Sequence, residues 1–257
     1  MPLQITLELE VAEPVALLGR GGEALYGLVL SILSRRDRIR AHQVHQDPAP
    51  PPFALSDVLG TVERQGRQIL LQPNQPYRFV LSLLDDELAP LFLETLLAGP
   101  RDPWRLGQAP IQRIQPADLR LKTYAELQTP AHPSVQRLRF RFLTPTSFRF
   151  HDLNWVFPDP DRVFRSLWTR WHRYAPVALG DPPEFSRIRV ERYHLETRAV
   201  HFYRYLVVGF VGEVHYRIPE DLQANPVLQI LTAFAPFAGV GYQTARGLGR
   251  VRTWLTP

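Results

Sequence analysis

Two segments of this chain hold residue types whose spacing could support chemistry. The first is the pair His42 and His45, which runs into Pro48, Pro50, Pro51 and Pro52. Histidine gains and loses its proton near neutral pH, so either side chain can act as an acid or a base. A spacing of three would suit a metal on a helical face. Four prolines in five residues predict a loop from residue 42 to 52 instead. His151, His172, His194, His201 and His215 show no metal-ligand pairing, so neither a metal site nor a cofactor is expected. The chain has no cysteine, which excludes disulfides, thiolate zinc sites, iron–sulfur clusters and cysteine nucleophiles. A reducing, cytoplasmic compartment is the simplest setting for such a composition.

The second segment is Gly239-Val240-Gly241-Tyr242-Gln243-Thr244-Ala245-Arg246-Gly247-Leu248-Gly249-Arg250, with Arg252 two residues on. Gly239, Gly241, Gly247 and Gly249 allow close backbone approach, and the freed amides can receive a phosphate beside Arg246, Arg250 and Arg252. No Gly-Lys-Ser/Thr closes the segment, so it is not a P-loop. It lies between a helix and a terminal strand rather than opening a helix, which also excludes a dinucleotide fingerprint. A plain flexible connector is the alternative.

The elements that must position these segments are legible as periodicities. Residues 4–11 alternate strictly, with Ile5, Leu7, Leu9 and Val11 on one face of a strand. Residues 23–33 place Leu25, Leu28, Val29 and Ile32 at helical spacing. Strand-like runs follow at 53–59, 68–71 and 77–83, with Gly66 in a turn between the first two. A helix over 86–97 closes at Gly99-Pro100, and a last strand falls within 111–127. The second half repeats this order: strand 135–143, helix 159–174, paired strands 188–193 and 201–208 extended by 211–218, helix 222–234 and strand 250–255. Two β-α-β-β-α-β units predict an α+β chain of two tandem ferredoxin-like, RRM-like domains, 1–128 and 129–257, divided near the prolines at 130 and 133.

Charge separates the halves. Residues 1–128 carry 13 basic and 15 acidic side chains, and residues 129–257 carry 17 and 10, so the second half holds the positive excess. Of 30 basic residues only Lys122 is a lysine. Arginine forms paired hydrogen bonds to phosphate and stacks on bases, so the balance suits an RNA partner gripped by the C-terminal half. No apolar run reaches the roughly 20 residues of a membrane span, and the alternating N-terminus argues against a secretory signal.

At this point the sequence resembles a known family. The glycine-rich segment is similar to the loop before the last strand in the CRISPR-associated repeat-processing endoribonucleases. Phe142-Leu143-Thr144-Pro145-Thr146-Ser147-Phe148-Arg149, followed by the helix near 158–171, resembles the opening of that family's second domain. Val44-His45, then Pro52-Phe53-Ala54-Leu55-Ser56, resembles its histidine segment.

The resemblance implies a metal-independent ribonuclease that cuts precursor CRISPR RNA within repeats. The ribose 2′-OH attacks the adjacent phosphate and leaves 2′,3′-cyclic phosphate and 5′-OH ends. It points to His45 as the acid or base, with His42 as the alternative register, and to Tyr26 as a residue that orients the RNA. It also makes Gly239, Gly241, Arg246, Gly247, Gly249, Arg250 and Arg252 the RNA-binding loop. Members with a Tyr-His-Lys set place a lysine soon after the histidine. Residues 46–58 contain no lysine or arginine, so the third role has no occupant there, and Arg36, Arg38 and Arg40 are the neighbouring cations. Repeat RNA is the implied partner, with other CRISPR effector subunits beside it; the chain would be a monomer or homodimer, with no membrane partner. Two other readings share the fold: a non-catalytic RNA-binding subunit, and a structural backbone protein, which would carry a long thumb-like insertion not evident in this sequence.

Overall fold

The structure is a computed structural model that describes residues 1–100 and 102–257. The first half runs β1 (Leu3–Val11), β2 (Val15–Leu18), α1 (Gly22–Arg36), α2 (Arg38–Gln46), β3 (Phe53–Leu55), β4 (Glu63–Gln65), β5 (Gln68–Leu71), β6 (Tyr77–Leu83), α3 (Leu88–Ala98), β7 (Arg105–Leu106), β8 (Ala109–Leu121) and the short α4 (Tyr124–Gln128). The second half runs β9 (Arg137–Thr146), β10 (Phe148–Phe150), β11 (Leu153–Trp155), α5 (Pro160–Tyr174), β12 (Arg189–His201), β13 (Leu206–Arg217), α6 (Pro226–Ala238) and β14 (Val251–Thr256).

The main sheets have the orders β3-β6-β1-β8-β7 and β12-β13-β9-β14. Counting only the four strands of each β-α-β-β-α-β unit, both read 2-3-1-4, the ferredoxin-like arrangement expected from the periodicities. Period-two burial makes the central strands: Leu3, Ile5, Leu7, Leu9 and Val11 are all buried on one side of β1. The core of the first sheet gathers these with Leu25, Val29, Ile32, Phe79 and Phe92, and also takes in Ala245 from the far end of the chain. The second core packs Phe140, Phe142, Phe164, Trp171, Tyr216 and Phe234, and borrows Leu84, Tyr124 and Leu127 from the first half. Among the described residues no helix is long and apolar enough to cross a membrane.

Several local expectations are corrected. The loop expected from residue 42 is helix until Gln46. Asp37 ends α1 and caps α2 by accepting from the Arg40 amide at 2.8 Å, so the chain restarts a helix beyond the one expected over 23–33. Gly66 turns between β4 and β5, not between a 53–59 strand and β5. The paired strands of the second half are one long hairpin, with Arg189 opposite Arg217 and His201 opposite Leu206, so residues 202–205 form the turn. The β10–β11 hairpin and α4 had no counterpart in the sequence reading.

Candidate active site

α1 and α2 meet at a near-contact of two side chains. The Tyr26 hydroxyl lies 3.2 Å from His45 Nδ1, with the rings tilted and their centres 6.0 Å apart. Tyr26 is buried to one side of α1, where Phe53 packs against its ring. Burial pushes the pKa of its phenol up, opposed by the charge of Arg246, so the hydroxyl keeps its proton at neutral pH. His45 lies exposed in the last turn of α2.

Arg246 comes from the other end of the chain. Its guanidinium carbon stands 5.0 Å from the centre of the Tyr26 ring, and Nη1 donates to the Tyr205 hydroxyl at 2.7 Å. The glycine-rich loop delivers it there by docking on the N-terminal domain. A Cβ on Gly22 would collide with the Arg246 carbonyl oxygen, and one on Gly247 would press on Ser56 and Asp57. Gly241 and Gly249 have φ of 83° and 72°, and a Cβ on them would strike the carbonyls of Ser147 and Val240. The close backbone approach foreseen for these glycines is therefore to this chain's own backbone. Arg170 of α5 ties the same junction: fully buried, it donates to Thr244 Oγ1 in the loop and to the Pro51 and Phe53 carbonyls at 3.1 and 3.3 Å. Burial lowers its pKa to about 10, so it is still charged at neutral pH.

These elements enclose a cleft of about 680 Å³ lined by Tyr26, His45, Asp47, residues 48–51, Phe148, Arg149, Trp155, Asp159, Asp161, Arg162, Arg165 and the loop from Gly241 to Arg246. The carboxylates in its wall are engaged: Asp47 with Arg173, Asp161 with Arg165, and Asp159 as the N-cap of α5. Arg162 and Arg246 have no ion-pair partner among the described residues, so the cleft keeps positive charge unneutralised.

Of the residues picked out by sequence, the structure brings Tyr26, His45, Gly241 and Arg246 to one cleft. His42 lies exposed on α2 and does not line it. Gly239 and Gly249 are buried against Thr244 and Val240. Arg250 is half-buried near Asp57, and Arg252 lies exposed on β14 opposite Arg141; neither lines the cleft. Arg36 and Arg40 are paired with Glu94 and Asp85 at 3.0 and 2.7 Å. Sequence reasoning passed over Arg149, Trp155, Arg162, Arg165 and Tyr205. The spacing of Arg162, Arg165 and Thr169 opposite Val163, Phe164, Leu167 and Trp171 was a readable polar, basic helix face.

Two ferredoxin-like domains in tandem, joined across one basic cleft, define the class of chain. Within that class the resemblance is to Cas6. Residues 140–251 match the family described as CRISPR-associated endoribonuclease Cas6. The CRISPR-associated endoribonuclease Cas6 of Mycobacterium tuberculosis is 26% identical over 129 residues, which is 48% of this chain and 40% of that protein. The match thus spans under half the length of this curated relative. Along the whole chain, a Cas6 product complex superposes with a TM-score of 0.79 at 26% identity, covering 99% of this chain and 100% of that one. Thermus thermophilus Cas6 gives 0.68 at 26% identity over 99% and 98%. The family resemblance read from the sequence is borne out, by sequence in the C-terminal half and by architecture throughout.

Proposed function

We propose that this chain is an endoribonuclease that cuts precursor CRISPR RNA within its repeats, without a metal. The observation that carries the reading is the Tyr26–His45 pair beneath Arg246 in a cleft with unpaired arginines. The ribose 2′-oxygen forms a bond to the adjacent phosphorus as the bond from phosphorus to the 5′-oxygen breaks. A proton leaves the 2′-OH and another reaches the departing oxygen. His45 handles one of these protons at Nε2. The protonated Tyr26 hydroxyl can donate to a neutral Nδ1 or accept from Nδ1–H, so the ring keeps its orientation in both states. Arg246 supplies charge for the phosphorane, the role for which residues 46–58 offer no cation.

The test is incubation with the repeat RNA of the chain's own CRISPR array in excess EDTA, followed by analysis of the product ends. Cyclic phosphate and 5′-OH ends are expected, and a single 2′-deoxy substitution upstream of the cut should abolish cleavage. A divalent-metal requirement, or cutting of the deoxy substrate, overturns the mechanism. Tight binding with no cutting makes the chain an RNA-binding subunit.

A further inference from the structure

The β10–β11 ribbon directs Phe148, Phe150, Leu153 and Trp155 to one face, because Phe148 sits opposite Trp155 and Phe150 opposite Leu153. Phe148 is buried, but Phe150, Trp155 and Leu153 are 47%, 42% and 73% exposed. A two-stranded ribbon has no further strands to shelter such a face, and leaving it in water is unfavourable. Arg162 of α5 lies against it, its guanidinium carbon 4.3 Å from the Trp155 ring centre and 4.9 Å from that of Phe150. Among the described residues no carboxylate pairs with Arg162, so the two rings hold a cation that is still free to meet an anion. Phe148, Arg149, Trp155 and Arg162 line the same cleft as Tyr26 and His45.

A flat apolar ring beside a free guanidinium group matches one chemical unit: a nucleotide, with a π-face on its base and a charge on its phosphate. We infer that the ribbon is a stacking subsite in which Trp155 receives the base of an unpaired nucleotide close to the cut, while Arg162 holds its phosphate. The inference rests on the nuclease reading for its placement beside the scissile bond. The nucleotide is unpaired because a base inside a duplex is already covered on both faces. Every base has a π-face, so the subsite adds affinity and position without reading sequence.

The experiment is a cycle of protein and RNA variants on the full chain. Repeat RNA is made with one abasic nucleotide at each position flanking the cut, and affinity and single-turnover rate are measured for wild type, Trp155→Ala and Trp155→Phe. Trp155→Ala should weaken binding about 5- to 100-fold, the usual range for loss of one stacked base, and Trp155→Phe should retain most of the affinity. At one RNA position the abasic change should cost wild type a similar factor and cost Trp155→Ala almost nothing. Losses that simply multiply at every position, or no loss with alanine, overturn the subsite. The phenylalanine variant and the abasic RNAs on wild type keep the test valid if alanine perturbs the hairpin. RNA bound with this coupling but left uncut overturns the nuclease reading and keeps the subsite. RNA cut without the coupling does the reverse, and absence of binding overturns both.

Discussion

α3 and α6 occupy equivalent places in the two domains and end on the same backbone turn. Gly99 lies at φ 70°, ψ 163° and Gly239 at φ 68°, ψ 169°. From there the paths part. In the first domain the connector returns through β7, which pairs with the start of β8, and Trp104 and Leu106 enter that domain's own core. In the second domain the connector leaves home: Ala245 enters the core of the first domain, and the Arg246 carbonyl lies against Gly22. One topology is thus used twice, once to close a sheet and once to carry a guanidinium across to Tyr26. The fold supplies two such connectors, and the residues on one of them make the candidate site.

The largest effect that this division predicts lies on the receiving side. His45→Ala should slow single-turnover cleavage by about 10²- to 10⁴-fold, the range for a positioned acid or base, with repeat-RNA affinity little changed. His42→Ala should cut like wild type, since His42 does not line the cleft. The reverse pattern in single-turnover assays would place the chemistry on the wrong turn of α2.

The docking of the loop is tested next. Gly22→Ala pits a methyl group against the Arg246 carbonyl at an ordinary helical φ, so it strains only the junction. It should lower stability by about 1–3 kcal/mol, the usual cost of overpacking, and slow cleavage as Arg246 shifts. Gly66→Ala meets no neighbour and carries only the positive φ of 60°. It should cost about 1–2 kcal/mol and leave the cleavage rate of the folded protein unchanged. Denaturant melts and single-turnover rates on both variants separate the two. Equal rates in folded Gly22→Ala and wild type would show that the crossing loop is not needed for chemistry.

The same contrast explains what the sequence could disclose. Strict alternation in residues 3–11 and the apolar spacing of α1 and α5 arise from local burial, and both sheets follow from them. The continuation of α2 to His45 starts at the Asp37 cap and buries Ala41 and Val44 in the first core, a tertiary contact that the four prolines beyond it hide from the sequence. The long β12–β13 hairpin is only partly legible because residues 194–199, mostly exposed, carry no burial-driven alternation, and Gly209 breaks the second strand into two runs. Tyr26 and His45 were singled out by resemblance, but their contact is tertiary. That Arg246 reaches the cleft and Arg250 does not depends on which side of Gly247 the backbone turns, at φ 86°. No periodicity encodes that.

The donor side of the crossing predicts smaller effects. Tyr205→Phe removes the acceptor of Arg246 while keeping the ring stacked on Phe202. A net hydrogen bond of about 0.5–1.5 kcal/mol implies a loss of roughly 2- to 10-fold in single-turnover rate, with affinity held. Arg246→Ala should also flatten the dependence of log affinity on log salt by about 0.7 for single-stranded RNA. Arg250→Ala should leave that slope unchanged, because Arg250 does not line the cleft. Equal slopes for the two variants would erase the distinction between them.

The smallest effect concerns the carboxyl on which the loop settles. Asp57 is buried beside Gly247 and accepts from Arg20, with the charge of Arg250 nearby. Burial pushes its pKa above the ordinary carboxylate value, and Arg20 and Arg250 pull it back only in part. A carboxyl raised in this way binds its proton more tightly in the folded state. Its contribution to stability is full below the unfolded value, about 3.9, and is lost as pH rises through the raised folded value. Glu126, Glu191, Glu213 and Asp221 are lowered by their hydrogen-bond partners and act with the opposite sign, so the whole-protein profile mixes the two. The difference between wild type and Asp57→Asn isolates the one group. On raising the pH from about 4 through the window just above the ordinary value, wild type should lose stability relative to the asparagine variant, and the gap should then stay constant. Arg250→Ala removes a cation that lowers the Asp57 value, so it should push the window to higher pH. A gap that runs the other way, measured by thermal melts across that range, would mean that the Arg20 pair outweighs the cost of burial. The crossing loop would then be held by an ion pair at its base as well as by the fit of its glycines.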